Sequence, residues 1–216
     1  MAVKLVRHQT SQNILLLAGY DGGITAAFKL PGNCTGFATE TAQLIYLSQP
    51  HSQPILSLDA LPDGSCYFTS SADAVIAMHR IPELPSRDEE QNSTPASQPM
   101  ITVRSPYKMV DTKHAGQQSL RVRSDGRLLV TGGWDTRIRI YSTKTLKEVA
   151  VLKRHKEGVY AVAFNDILTV DDVRRKEGHG DGVKIRAQRQ RDEATKLKHY
   201  VAAGAKDGKV SLWEVF

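Results

Sequence analysis

Residues Leu128–Ser142, LLVTGGWDTRIRIYS, set an apolar run, two glycines, a tryptophan, an aspartate and an alternation of arginine with isoleucine in a row. Leu128-Leu129-Val130 suits a buried strand, and Arg137-Ile138-Arg139-Ile140-Tyr141 has the period of two of a half-buried one. Between them, Trp134-Asp135-Thr136 predicts a tight turn. A short carboxylate there accepts hydrogen bonds from the amides that follow it, and Gly132 and Gly133 admit a neighbouring backbone closely.

The phrase occurs four times, with LLLAGYDGGITAAFKL at Leu15–Leu30, CYFTSSADAVIAMHRI at Cys66–Ile81 and YVAAGAKDGKVSLWEV at Tyr200–Val215. Each copy has an apolar run, small residues, an aspartate (Asp21, Asp73, Asp135, Asp207) and a second run. The aspartates stand 52, 62 and 72 residues apart (73 − 21, 135 − 73, 207 − 135). A four-stranded propeller blade takes roughly 40 to 45 residues, so insertions are expected. A histidine and a further strand precede three copies: His51 before PILSLDALPDGS, His114 before QSLRVRSDGR and His155 before GVYAVAFND.

Histidine, strand, turn, strand, aspartate turn and a strand ending in an aromatic resembles the WD-repeat family of β-propellers, most clearly in GGWD and in KDGKVSLWEVF. Trp213 lies six residues beyond Asp207 and Tyr141 six beyond Asp135, whereas His79 and Ala27 hold that position in the second and first copies. The resemblance implies an all-β propeller of about four blades, the last incomplete, at residues 1–50, 51–113, 114–154 and 155–216. It also implies structural roles for the turn aspartates, for His51, His114 and His155 bonded within their own blades, and for Trp213. The family's set of histidine, serine or threonine, aspartate and tryptophan is expected nowhere complete; in the third blade it would be His114, Thr131, Asp135 and Tyr141. Met1–Val6 alternates like an inner strand, and no fourth strand follows the last copy. The expectation is part of a seven-bladed ring.

Two segments fall outside the blades. Pro82–Pro99 is rich in proline, serine and acid, with little to bury, and about 168–199 mixes nine basic with six acidic residues. The net charge of +6 supports a basic surface. Basic residues interleaved with acids and lacking aromatic spacing do not predict nucleic-acid readout, so direct DNA contact stays open. Ile14–Ala18 is too short an apolar run to span a bilayer. Cys34 and Cys66 have no metal-ligand spacing and predict a reducing compartment, and the NCT and NST triplets at Asn33 and Asn92 read as chance matches to the glycosylation pattern.

Enzyme chemistry has no foothold. There is no nucleophile elbow, phosphate loop or HExxH pair, and GHGDG at Gly178–Gly182 lies inside the charged insertion. No catalytic residue, cofactor or metal is expected. Candidate partner-binding residues are Trp134, at a rim position or else packed on a neighbouring blade, and Arg121 and Arg123, directed to the channel or to a structural ion pair between blades.

The order of phrases, above all GQQSLRVRSDGRLLVTGGWD, looks like the ASTRA-associated branch of the WD-repeat family, similar to the animal G-protein β-subunit-like proteins. That likeness implies a nuclear, non-catalytic scaffold in an assembly linked to chromatin remodelling. The implied companions are large phosphatidylinositol-3-kinase-like proteins of the Tra type, Tel- and Tti-type cochaperones and RuvB-like ATPases. The competing readings are a substrate receptor of a ubiquitin ligase and a basic chromatin-binding propeller.

Overall fold

The computed structural model describes residues 1–31, 42–84, 103–167 and 198–215. The fold is all-β. Four antiparallel meanders follow one another, each with strands in chain order from the inner edge outward. Blade 1 holds β1 (Ala2–Arg7), β2 (Ile14–Gly19), β3 (Thr25–Lys29) and β4 (Gln43–Ser48). Blade 2 holds β5 (Ile55–Ala60), β6 (Cys66–Ser71), β7 (Val75–Arg80) and β8 (Lys108–Asp111). Blade 3 holds β9 (Gln117–Val122), β10 (Leu128–Gly133), β11 (Arg137–Ser142) and β12 (Glu148–Lys153). Blade 4 has three strands among the described residues, β13 (Val159–Phe164), β14 (His199–Ala205) and β15 (Val210–Val215). Most of both predicted insertions lies outside the described residues.

Each hairpin between second and third strands turns on a residue with positive φ: Gly23 (74°), Ala74 (70°), Thr136 (72°) and Gly208 (71°). In three blades that residue directly follows the aspartate, and the strand pairing is symmetric about it: Thr69 opposite Ala77, Thr131 opposite Arg139, Ala203 opposite Ser211. The first blade departs from expectation. Leu17 pairs with Ala27, so the hairpin is centred on Gly22, and Gly22 rather than Asp21 stands at the aspartate position. Asp21 is exposed and lies 3.5 Å from the N-terminal ammonium. By the same register the aromatic position belongs to Phe28, not Ala27.

The core lies between blades. Leu15 and Leu17 meet Leu58 and Tyr67; Phe68 and Ile76 meet Leu120, Leu129 and Tyr141; Val130, Ile138 and Ile140 meet Val159, Val201 and Trp213. Close approach depends on small residues at the end of the second strand. A Cβ on Gly19 would lie 2.5 Å from Ile55 Cγ2, and one on Gly132 would lie 2.7 Å from Val159 Cγ1. Gly204 holds the same position in blade 4 and has nothing within 4 Å. Blades 1 and 4 present their outer faces to solvent, where Val3, Leu5, Val210 and Leu212 are exposed.

Side chains of one inner strand also bond the backbone of the next. Ser57 Oγ accepts from Leu120 N at 3.1 Å, Asp59 Oδ2 from Val122 N at 2.7 Å, and Ser119 Oγ from Val162 N at 3.3 Å. These bonds satisfy backbone groups that the sheets' inner edges leave unpaired. Lys4, Asp59 and Arg121 occupy equivalent positions on β1, β5 and β9, opposite Leu17, Phe68 and Val130. The buried Asp59 pairs with Lys4. Arg121 is exposed, lines a cavity of about 320 Å³ with Lys4 and Asp59, and donates from Nη1 to its own strand's Leu120 carbonyl at 2.7 Å. Arg123 is buried in a structural ion pair with Asp125 of its own turn, Nε to Oδ1 at 3.0 Å and Nη2 to Oδ2 at 2.8 Å, where β9 ends at Val122 and the chain bends.

The meander gives the molecule two unlike faces. The aspartate hairpins and the short links between blades, 49–54, 112–116 and 154–158, open on one of them. All three undescribed internal stretches leave from and return to strand ends on the other, between β3 and β4, β7 and β8, and β13 and β14.

Candidate functional site

The residues singled out by the repeat gather on the short-turn face, and each blade uses them differently. In blade 2, Asp73 accepts from the backbone of Ser52 at 2.9 Å and Val75 at 3.0 Å, and its carboxylate faces His51 Nδ1 at 3.1 and 3.2 Å. A carboxylate only accepts, so His51 carries its proton on Nδ1 and leaves Nε2 to accept from the Thr69 hydroxyl at 2.8 Å. Thr69 Oγ1, now a donor, accepts from His79 Nε2 at 3.1 Å, and His79 Nδ1 accepts from Tyr46 Oη of blade 1 at 3.1 Å. The result is a directional chain, Tyr46 to His79 to Thr69 to His51 to Asp73, with both imidazoles neutral. Burial, reinforced by neighbouring His51, lowers the His79 pKa to about 3. Burial also lowers that of His51 against the opposing pull of Asp73. His79 further stacks on Tyr67 with ring centres 4.6 Å apart.

Blade 4 builds the same chain from other residues, and here the set is complete, contrary to expectation. Trp213 Nε1 donates to Ser211 Oγ at 3.0 Å, Ser211 meets His155 Nε2 at 2.8 Å, and His155 Nδ1 lies 3.4 Å from Asp207. The hydroxyl comes from the third strand. Ala203 stands where Thr69 does, and Ser211 is its cross-strand partner, on the same face of the sheet.

Blade 3 breaks the scheme. Arg139, at the position of Ser211, is buried and grips Asp135 through Nη1 at 3.0 Å and Nη2 at 2.5 Å, with Glu148 3.3 Å from its Nε. A guanidinium fork matches a carboxylate better than one imidazole nitrogen does, and it fills the space a histidine would use. His114 is therefore displaced, 3.5 Å from Asp135 with its side chain 43% exposed, and it does not meet Thr131 as the repeat led one to expect. Burial works to raise the Asp135 pKa, but Arg139's hydrogen bonds and charge hold it below the ordinary carboxylate range.

Trp134, beside that carboxylate, is 45% exposed. Its ring rests on Gly116 (φ 72°), where any Cβ would overlap the indole, and its Nε1 donates to Gln118 Oε1 at 2.9 Å. Gly158, in the link to blade 4, runs alongside: a Cβ there would be 3.3 Å from Trp134 Cα and 3.1 Å from Tyr160 Cε2. Tyr160, which the sequence reading overlooked, is 48% exposed. Thus Trp134 is seated on its own blade's entry loop, touched at its backbone by the next link, and presents the rest of its ring to solvent.

The chemistry of this face is that of holding. His51 and His155 are buried with both ring nitrogens engaged, and Asp73, Asp135 and Asp207 are saturated by turn amides, histidine or arginine. Among the described residues no helix is long and apolar enough to cross a membrane.

Known proteins are similar to this chain in sequence. The WD domain, G-beta repeat family matches residues 108–142, which run from β8 through β11. ASTRA-associated protein 1 of Verticillium alfalfae is 45% identical over 222 aligned residues, covering 100% of this chain and 50% of that protein. The Aspergillus flavus protein of that name is 38% identical over 100% of this chain and 50% of its own length, and the Schizosaccharomyces pombe protein 31% over 94% and 44%. The chain spans about half the length of the curated relatives it matches. Its four meanders, the WD repeat matched at 108–142 and these relatives show an all-β chain that carries a WD repeat, is consistent with part of a WD propeller, and is similar along its length to half of fungal ASTRA-associated protein 1.

Proposed function

We propose that the chain serves as a non-catalytic scaffold subunit of an ASTRA-type assembly in the nucleus, linked to chromatin remodelling and to the assembly of phosphatidylinositol-3-kinase-like proteins. The observation that carries this reading is the 45% identity, along the entire chain, to a protein named for its association with ASTRA. The geometry agrees with it. The buried acid–base side chains of the short-turn face, His51 and His155 with Asp73 and Asp207, are spent on holding turns, while broad sheet faces and an aromatic rim remain for contact. Its companions on this reading are the Tra-, Tel- and Tti-type proteins and the RuvB-like ATPases.

Affinity purification of the tagged chain from a fungal host, with mass spectrometry of what accompanies it, tests the proposal. Recovery of that group, together with nuclear accumulation of a fluorescent fusion, is the expected result. Ubiquitin-ligase adaptors in its place, or no reproducible companion, would overturn it.

A further inference from the structure

We infer that the short-turn face where blades 3 and 4 meet is a docking site for an acidic protein segment carrying an apolar side chain. This deepens the scaffold reading and rests on it. Two half-exposed aromatic residues border Gly158 on that face, Tyr160 with its ring and Trp134 with its backbone. Trp134 is held in advance of any partner: Gly116 supports its ring, Gln118 takes its N–H at 2.9 Å, and its backbone N–H donates to the Gly116 carbonyl at 3.0 Å. An aromatic fixed before contact loses little conformational freedom on binding, and tryptophan and tyrosine are the residue types that anchor interfaces.

Charge around the rings selects the partner. Lys113, Arg154, Lys156 and Lys206 are exposed on the links and hairpin that border them, with Glu157 opposing. Of the nearby carboxylates Asp135 is offset by Arg139, while Asp111 and Asp207, which accept from backbone N–H groups, keep their charge and with Glu157 are outnumbered by the four exposed cations. The balance at the rim is positive, which steers acidic segments toward the rings and disfavours basic ones. The basic residues ring an aromatic centre rather than forming a continuous stripe that would track phosphates, so the site favours a peptide over a duplex.

The test is fluorescence anisotropy on the intact chain with four labelled probes: a short Asp/Glu-rich peptide with a central Leu-Phe pair, the same peptide with Ser-Ser at its centre, a lysine-rich counterpart keeping Leu-Phe, and a short DNA duplex. The acidic Leu-Phe probe should bind tightest. Trp134→Ala and the double reversal Lys156→Glu with Lys206→Glu should each weaken it about tenfold. Trp134→Phe should weaken it less, and Val149→Ala, on the exposed outer strand of the same blade, should leave it unchanged; thermal melts establish that each variant is folded. Equal or tighter binding of the lysine-rich probe or the duplex would overturn the inference. So would indifference to Trp134→Ala, or no saturable binding of the acidic probe at millimolar concentration. Partners recovered from cells without peptide binding would remove this site and leave the scaffold reading standing; peptide binding without those partners would do the reverse.

Discussion

His79 stands where blade 4 carries Trp213, and it does the same donating work with a ring that can titrate. Its pKa of about 3 in the fold lies below the ordinary 6.5, so below pH 6.5 the unfolded chain takes up a proton that the folded chain refuses. The stability this neutral imidazole supports is therefore present above pH 6.5 and is lost as pH falls toward 3. His51, shifted the same way, adds to the loss. The expected slope for His79 is up to about 1.4 kcal/mol per pH unit. His79→Gln can still donate to Thr69 and accept from Tyr46 without titrating, so denaturant melts of this variant between pH 4 and 7 should show a shallower pH dependence than the parent. At Arg139, replacement by alanine leaves Asp135 without its main counter-charge and should cost about 2 to 4 kcal/mol in urea unfolding. Arg139→Ser recreates the arrangement around Ser211 and should cost less. It should also draw His114 inward, which would appear as slower deuterium exchange at its imidazole C2.

Repetition explains the element scale. Gly132 and Gly204 occupy the same register position, yet one faces Val159 and the other open space. Alanine at both gains the same strand propensity, so the difference between them reports crowding alone. Gly132→Ala should destabilise by about 1 to 3 kcal/mol. Gly204→Ala should stay within about 0.5 kcal/mol of the parent, as judged by chemical denaturation. This repetition is also what made most of the strands legible in the sequence: alternation, a histidine before and an aspartate between recur at recognisable spacing. The details failed where one residue competes with another in space. Asp21 sits in the right phrase, but Gly22-Gly23 moves the turn by one, a signal readable only from which residue takes positive φ. Ser211 was overlooked because the hydroxyl was sought on the second strand, although symmetry of pairing about Asp207 points to it. Arg139 looked like one more member of an alternating strand; its capture of Asp135 depends on His114 and Arg139 competing for one carboxylate, which periodicity does not encode.

At the scale of the molecule, the blades stack in series, and among the described residues the first and last blades each leave an apolar sheet face uncovered. Val3 and Leu5 on one and Val210 and Leu212 on the other are 58 to 77% exposed, on faces of the kind that are buried wherever two blades meet. Apolar sheet faces in water associate. The purified chain is therefore expected to self-associate with rising concentration, and Leu5→Glu combined with Leu212→Glu should reduce the sedimentation coefficient toward that of a monomer. An unchanged distribution in the double variant would show that these faces do not drive it. The two unlike faces carry a different consequence. Because β7 and β13 end, and β8 and β14 begin, on the face opposite the aspartate hairpins, the sequence between Leu84 and Val103 and between Ile167 and Lys198 is joined to the blades there. A fluorescent protein or an epitope spliced into either would be attached to the blades on the face opposite Trp134, so the chain could be tracked in living cells without a junction on its short-turn face.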